Sequence, residues 1–484
     1  MRKIAIAVVA AVIIGSGAYY GLAIYPNNQF RAGLDRVIAT LPPGYSAHYA
    51  SATYGAFSHV AEVTDLTISG PLPLSFTETI AKTTIEKPAL DFIDGWNRAQ
   101  ANSSALTPEQ ALPVADRITV EGVKIGGSTV SGGFASSSLA RLRIYPWPLF
   151  RPGVPPLKDM PGVFLSTMQE QTRIAAQQQA MLSQAKKTMD KDETQGSDVG
   201  GPSADDIEKL QKEQLDALLP VLRLEAVALL ALGYDSFDGA GFDMTSTLPD
   251  SGPAMPSGNI RVAMSKLHGA ALDRGIGGAN SVDGLIEDLG TQGRISADHA
   301  AIGNMAVRDA ATRLLNGDPL SLAMLDGTSI GGIEMDGLSL TLTNAGKTNI
   351  EKIALSDLSF DHSFLKSFGF NITGLKQDAA DADASEKALL QQLGLKTVSA
   401  DMGLAFQWNA DKKTASLHDV TFGVDRLGSI SASADIAGID PANTAASASS
   451  TLLKATVRYQ DASLINRVLR MTRDGKKTAA EFAQ

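Results

Sequence analysis

Residues Gly331–Phe360 read GGIEMDGLSLTLTNAGKTNIEKIALSDLSF, and they carry one six-residue phrase twice: Met335-Asp-Gly-Leu-Ser-Leu340 and Leu355-Ser-Asp-Leu-Ser-Phe360. The phrase is apolar, polar, Asp or Gly, apolar, polar, apolar. It recurs at Val63–Ile68, Val120–Ile125 and Leu417–Phe422. Alternating apolar and polar side chains put one face of a strand against a core and the other in water. The Asp or Gly stands where the alternation slips by one residue, and these residue types tolerate a bulge or a tight kink. The expected fold class is therefore α+β, dominated by a curved, mainly antiparallel sheet of repeated kinked strands. The apolar stripe of the opening stretch, Leu338, Leu340, Leu342, Leu355, Leu358 and Phe360, is expected to face the core. If that face is open as a groove, these same six residues are candidates to contact the acyl chains of a lipid.

The chain has 484 residues, too many for one ordinary core, so two or three structural units are expected. A hydrophobic content of 44% with 19% charged residues suits a folded chain. The net charge of −10 disfavours nucleic acid as a partner, because phosphate binding needs a basic surface. There is no cysteine, hence no disulfide, no thiolate-bound zinc and no thiol nucleophile.

Met1-Arg-Lys3 is followed by an uncharged run, and Ile4–Ile24 is long enough to cross a bilayer core as a helix. Tyr19, Tyr20 and Tyr25 stand where interfacial aromatics belong, and Arg2 and Lys3 favour a cytoplasmic N-terminus. A cleaved signal peptide is the rival reading, with Ser16-Gly-Ala18 as its small-residue site. Both readings export the body of the protein. Asn27–Leu41 follows as an amphipathic helix, stopped by Pro42-Pro-Gly44. Tyr45–Thr53 and Val60–Ile68 then form a hairpin.

This order of features, an N-terminal membrane segment, a short helix, a Tyr-rich strand, the Tyr54-Gly-Ala-Phe57-Ser58 turn and the strand Val63-Thr-Asp-Leu-Thr-Ile68, is similar to YdgA-like bacterial envelope proteins. More loosely it resembles the AsmA-like proteins, and the likeness covers about residues 1–75. It implies a periplasmic β-rich body on a single-pass inner-membrane anchor, with a role in envelope lipid homeostasis or lipid movement. It brings no catalytic residues and no cofactor.

Further along, strands are expected around Ile80–Phe92, Arg117–Ile125, Ala140–Tyr145, Tyr234–Met244 and Asn259–Leu272. Tyr145–Pro156, rich in proline and aromatics, is either a crossover packed on the sheet or a contact loop for a partner or a membrane. Pro161–Lys187 and Asp205–Leu232 suggest a helical hairpin around a polar linker, although Val221–Leu232 is apolar enough for a buried strand. The pattern predicts a helix start at Ser281–Leu289 and strand over Arg294–Arg313, with Val307–Thr312 a weak echo of the phrase. It predicts helices over Asp318–Leu325, Gln377–Leu395 and Asp461–Met471. Leu404–Trp408 with Ala415–Val424 reads as a hairpin, followed by strands Ser429–Ile436 and Leu452–Tyr459. The expected division is an anchor or signal (1–26), an N-terminal β-rich region (27–160), a helical insert (161–232) and a C-terminal β-rich region (233–484).

Catalytic constellations are sparse. Gly327-Thr-Ser329-Ile-Gly331 has G-x-S-x-G spacing, but a nucleophile elbow needs a strand before it and a helix after it. The six histidines show no metal-ligand spacing. Lys454–Lys477 is locally basic within an acidic chain and could meet anionic headgroups or an acidic partner. The leading expectation is a non-enzymatic envelope protein that binds or passes lipid along an apolar β groove. The alternatives are a scaffold for an envelope protein partner and an exported hydrolase.

Overall fold

The computed structural model describes residues 28–39, 41, 44–55, 58–70, 76–89, 92–127, 129–156, 173, 204–248, 258–343, 346–361, 364–382, 384–440 and 450–467. The expected membrane or signal segment, the Pro161–Lys187 half of the helical hairpin apart from Arg173, and the linker up to residue 203 lie outside these residues.

The strands are β1 (Ser46–His48), β2 (Ser51–Gly55), β3 (Val60–Gly70), β4 (Phe76–Pro88), β5 (Leu112–Gly127), β6 (Val130–Ile144), β7 (Leu232–Leu248) and β8 (Gly258–Asp273). They continue as β9 (Ile276–Gly277), β10 (Asn280–Asp288), β11 (Gly293–Ile302), β12 (Met305–Ala306), β13 (Ser329–Ile330), β14 (Ile333–Leu342), β15 (Gly346–Asp361) and β16 (Phe364–Asp378). The last four are β17 (Thr397–Asn409), β18 (Thr414–Val424), β19 (Gly428–Ala437) and β20 (Thr451–Asp461). Helices are α1 (Asn28–Ala39), α2 (Phe92–Ala101), α3 (Ala204–Ala231), α4 (Arg308–Asn316) and α5 (Ala384–Gln392).

All strands join one antiparallel sheet, each long strand pairing with the next in sequence. β6 pairs directly with β7 although the region 161–232 lies between them, so the two β-rich regions are parts of a single sheet. β9 with β10, β12 with β11, and β13 with β14 keep the same register against their neighbours, so each pair is one interrupted strand. No pairing among the described residues joins β20 back to β1 or β2, and the sheet is left open.

The phrase of the sequence analysis lies on strands at every occurrence: β3, β5, β14, β15 and β18. Its third residue is left-handed at Asp65 (φ 49°), Gly122 (φ 64°), Gly337 (φ 63°) and Asp419 (φ 54°). Three further glycines do the same within apolar–polar–Gly–apolar or closely similar runs: Gly241 (φ 65°), Gly284 (φ 62°) and Gly374 (φ 64°). The register brings these positions into line across the sheet. Asp65 and Gly122 flank Ala81 of β4, Gly122 and Gly241 flank Ala135 of β6, and Gly241 and Gly284 flank Ser265 of β8. Gly284 and Gly337 flank Asp298 of β11, and Gly337 and Gly374 flank Glu351 of β15. One crease thus crosses every strand from β3 to β16, with a left-handed residue on each second strand.

At the crease the apolar side does not change. In β3, Val63 and Leu66 are both buried and Thr64 and Asp65 point outward together. Val120 and Val123 of β5 behave alike around Glu121 and Gly122. Two consecutive residues on the outer side lengthen that side, so the strand bends toward its apolar face. A second crease runs parallel to the first, six residues away along each strand, through Lys87 (φ 41°), Asp116, Arg141 (φ 48°), Asp235 and Gly278. It continues through the breaks at Gly303-Asn304 and Gly331-Gly332, where Gly303 N–H donates to Gly332 O (2.6 Å) and Gly331 N–H to Asn304 O (2.7 Å). The ladder of β15 on β16 shifts between Ser356 and Ser359, across Asp357 on the same line. Between the creases lies a floor of about 20 Å of extended chain.

Among the described residues, helices cover part of the apolar face. α1 supplies Leu34 and α2 supplies Phe92 to the main core, with Ala61, Val63, Leu66, Ile80, Ile118, Val120 and Val123. α3 and α4 pack on each other through Val227, Leu230, Ala311, Leu314 and Leu315. α3 runs through Pro220 to Ala231, so Val221–Leu232 is helix rather than buried strand up to that residue.

Other expectations are corrected. The strand expected to reach Phe92 ends at Pro88, and Phe92, Trp96 and Ala99 form the inward side of α2, where Trp96 also meets Phe150 (5.5 Å between ring centroids). Ser281–Leu289 is strand β10; its Val282-Asp-Gly-Leu285 phrase breaks the two-residue period and conceals the strand. The strand expected over Arg294–Arg313 ends at Ala306, and Val307–Thr312 leads into α4, closed by left-handed Gly317. Gln377 and Asp378 belong to β16, and α5 starts only at Ala384. Of the expected helix Asp461–Met471, residues 464–467 are helical, while Asp461 ends β20. Pro146 and Pro148 are buried, and Trp147, Leu149 and Val154 pack on the α3–α4 core, so Tyr145–Pro156 is a packed crossover.

Candidate functional site

The inner rows of the sheet form an extended apolar surface. Beside the first crease, the row Leu66, Ile80, Val123, Phe134, Phe242, Met264, Leu285, Ala297, Leu338, Ile350 and Leu375 runs strand by strand. Three clusters lie along it and share members. Ile125 and Phe134 touch both the main core and the Phe242–Met244–Met264 cluster, and Leu285 touches that cluster and the Ala297–Leu338–Ile350 cluster. From β3 to β16 the apolar path is about 50 Å long at ~4.8 Å per strand.

Cover along this path is uneven. Leu66 and Ile80 are 1% exposed under α1 and α2. Val282, Leu285, Met335, Leu340, Ile353, Ile372 and Leu375 are only half-buried. At β18–β20 the same side is exposed outright at Phe422, Ile430, Val457 and Tyr459.

The six candidate lipid-contact residues lie on this side. Leu338 is buried in the Ala297–Ile350 cluster, Leu340 packs on its margin, and Leu342 and Leu355 are half-buried. Leu358 and Phe360 line a small cavity of about 140 Å³ with Val307, Ala310, Leu325, Thr328, Ser329 and Ile330. None of the residues around Ser329 in that cavity is a histidine or a carboxylate, and β13 follows a 3-10 turn at Leu322–Leu325.

One titratable group interrupts the apolar side. Glu78 of β4 lies between Ile68 and Ile125, is 3% exposed, and its Oε1 has no hydrogen-bond partner. Burial pushes its carboxyl up to about 7. The expectation that began this strand at Ile80 missed it, although Phe76, Glu78 and Ile80 alternate onto one side.

The outer side is polar and paired across strands. His268 Nδ1 meets Asp238 Oδ1 (2.7 Å), His299 Nδ1 meets Asp283 Oδ1 (2.6 Å), and Lys352 Nζ meets Glu334 Oε2 (2.9 Å). A shallow depression of about 620 Å³ spans β5 to β10, floored by Ser136, Ser138 and Ala240 and rimmed by Arg117, Glu121, Lys266 and His268. No group of three potential metal ligands occurs among the described residues. At the end of β8, Asp273 accepts from Tyr145 and pairs with Arg308 (3.3 Å). Burial would raise this carboxyl, but the Tyr145 hydroxyl, Arg274 and Arg308 outweigh it and hold it low.

No known family matches the chain, and no curated protein matches it in sequence. No helix among the described residues is long and apolar enough to cross a membrane.

Proposed function

We propose that the protein binds the acyl chains of lipids along the apolar side of its creased sheet, without catalysing a reaction on them. The observation that carries this reading is the apolar row from β3 to β16: it is fully covered under α1 and α2, and from β10 to β16 its buried members Ala297, Leu338 and Ile350 are bordered by half-buried Val282, Leu285, Met335, Leu340, Ile353, Ile372 and Leu375. A path of about 50 Å exceeds the ~30 Å hydrocarbon thickness of a bilayer. It can therefore hold an acyl chain at several places along its length. A folded protein rarely leaves a run of large apolar side chains half-exposed beside its core without an occupant. The same proposal places the body outside the cytoplasm of a bacterium, held at the inner membrane by Ile4–Ile24, in the manner of the AsmA-like and YdgA-like proteins that the first residues resemble.

The test is extraction of the purified full chain with organic solvent. Phospholipid is expected in the extract. Met335→Asp and Ile353→Asp, which put charge on the inner side at half-buried positions, are expected to remove most of it, whereas Thr341→Asp on the outer side leaves it. Circular dichroism of each variant checks that the sheet is retained. A lipid-free extract, or equal loss in all three variants, overturns the reading.

A further inference from the structure

We infer that β20 is a docking edge for an extended strand of another protein that carries acidic side chains on one face and apolar side chains on the other. Among the described residues β20 pairs with β19 on one side only, and all eleven of its residues are exposed. An open strand edge presents unpaired N–H and C=O groups to any chain that can align with it. The two faces of β20 differ in kind. Ala455, Val457 and Tyr459, opposite Ala434, Ala432 and Ile430, continue the apolar side of the sheet, as does Leu452 opposite Ile436 beyond a register shift, and Val457 is 74% exposed. Lys454, Thr456, Arg458 and Gln460 point the other way.

Charge selects the occupant. Lys454 and Arg458 stand four residues apart on the polar face of a chain whose net charge is −10. The register sets Arg458 beside Ser431, and it sets Lys454 beside Asp435, which already accepts the Ser416 hydroxyl (2.8 Å). A second copy of this chain fits poorly. Antiparallel pairing over the whole strand is centred on Thr456 and would set Lys454 of each copy against Arg458 of the other. Like charges directly opposite on neighbouring strands are unfavourable. A strand with carboxylates four residues apart meets the same two cations favourably, and its intervening apolar residues extend the row of Val457 and Tyr459. This inference does not depend on lipid binding, since it concerns the edge of the sheet and not its inner side.

The test uses the full chain and two fluorescent peptides, one alternating valine with glutamate and one alternating valine with lysine, read by fluorescence anisotropy. The glutamate peptide is expected to bind at least about tenfold more tightly, which corresponds to ~1.4 kcal/mol. K454E/R458E is expected to reverse that order. V457K, at an already exposed position, is expected to abolish binding of both peptides with the circular dichroism unchanged. Equal binding of the two peptides, absence of binding, or an order that K454E/R458E does not change overturns the inference. So does sedimentation showing a dimer that V457K dissociates, which would make a second copy the occupant. Adsorption to phosphatidylglycerol vesicles with no peptide binding would assign the edge to a membrane and overturn it equally.

Discussion

Gly122→Val is expected to lower the free energy of unfolding by about 3 kcal/mol, measured by urea denaturation. Two costs combine. Gly122 sits at φ 64°, a conformation that costs an L-residue roughly 1–2 kcal/mol and a β-branched one more. A Cβ at this position would also lie 2.8 Å from the Cβ of Ala81 on the neighbouring strand. Ala81 is in the middle of β4 and cannot yield without moving the ladder, so overpacking adds about 1–3 kcal/mol. The same construction recurs at Gly337, where an added Cβ would lie 2.2 Å from Asp298 Oδ2, and at Gly374, 2.7 Å from Glu351 Cβ. Asp65 occupies the corresponding place on β3 with φ 49°. Asp65→Gly should therefore be close to neutral and Asp65→Val costly. If Gly122→Val unfolds at the same urea concentration as the unaltered protein, the crease carries no structural weight.

Glu78→Gln is expected to stabilise the protein by about 3 kcal/mol above neutral pH and to leave it nearly unchanged below pH 5. The sign follows from the direction of the shift. Burial between Ile68 and Ile125 pushes the folded-state carboxyl from its ordinary 4.5 up to about 7. Between these values the folded protein holds a proton that the unfolded chain has lost, so stability falls as pH rises through this window. Above it the folded state carries an unpaired buried anion. Glutamine keeps the shape and removes the charge, so the variant should lack this part of the pH dependence. The measurement is the urea midpoint of both proteins at pH 5 and pH 8. Parallel pH profiles would show that Glu78 reaches water or a cation, and would contradict its burial.

Much of the architecture was legible because the information is local. An apolar–polar alternation that slips by one residue at Asp or Gly is visible within six residues, and the phrases at Val63, Val120, Met335, Leu355 and Leu417 are strands for that reason. The runs at Val282 and Ile372 share only the first four positions of the phrase, apolar–polar–Gly–apolar, and they lie in β10 and β16. Where an expected strand runs on into a helix, at Phe92 and at Arg308–Arg313, the overlap is short enough for either period to fit its few apolar residues.

By itself, then, the sequence determined that the chain builds kinked, half-buried antiparallel strands, since side-chain direction follows from backbone alternation and left-handed residues are restricted to a few types. Only the tertiary structure decided that the kinks share two lines, because a crease depends on the register between strands far apart in the chain. It alone joined β6 to β7 across the intervening helix, left one edge of β20 unpaired among the described residues, and set Glu78 between two isoleucines. Each of these is a relation between distant segments, settled by which hydrogen-bonded register buries the most apolar surface along the whole sheet.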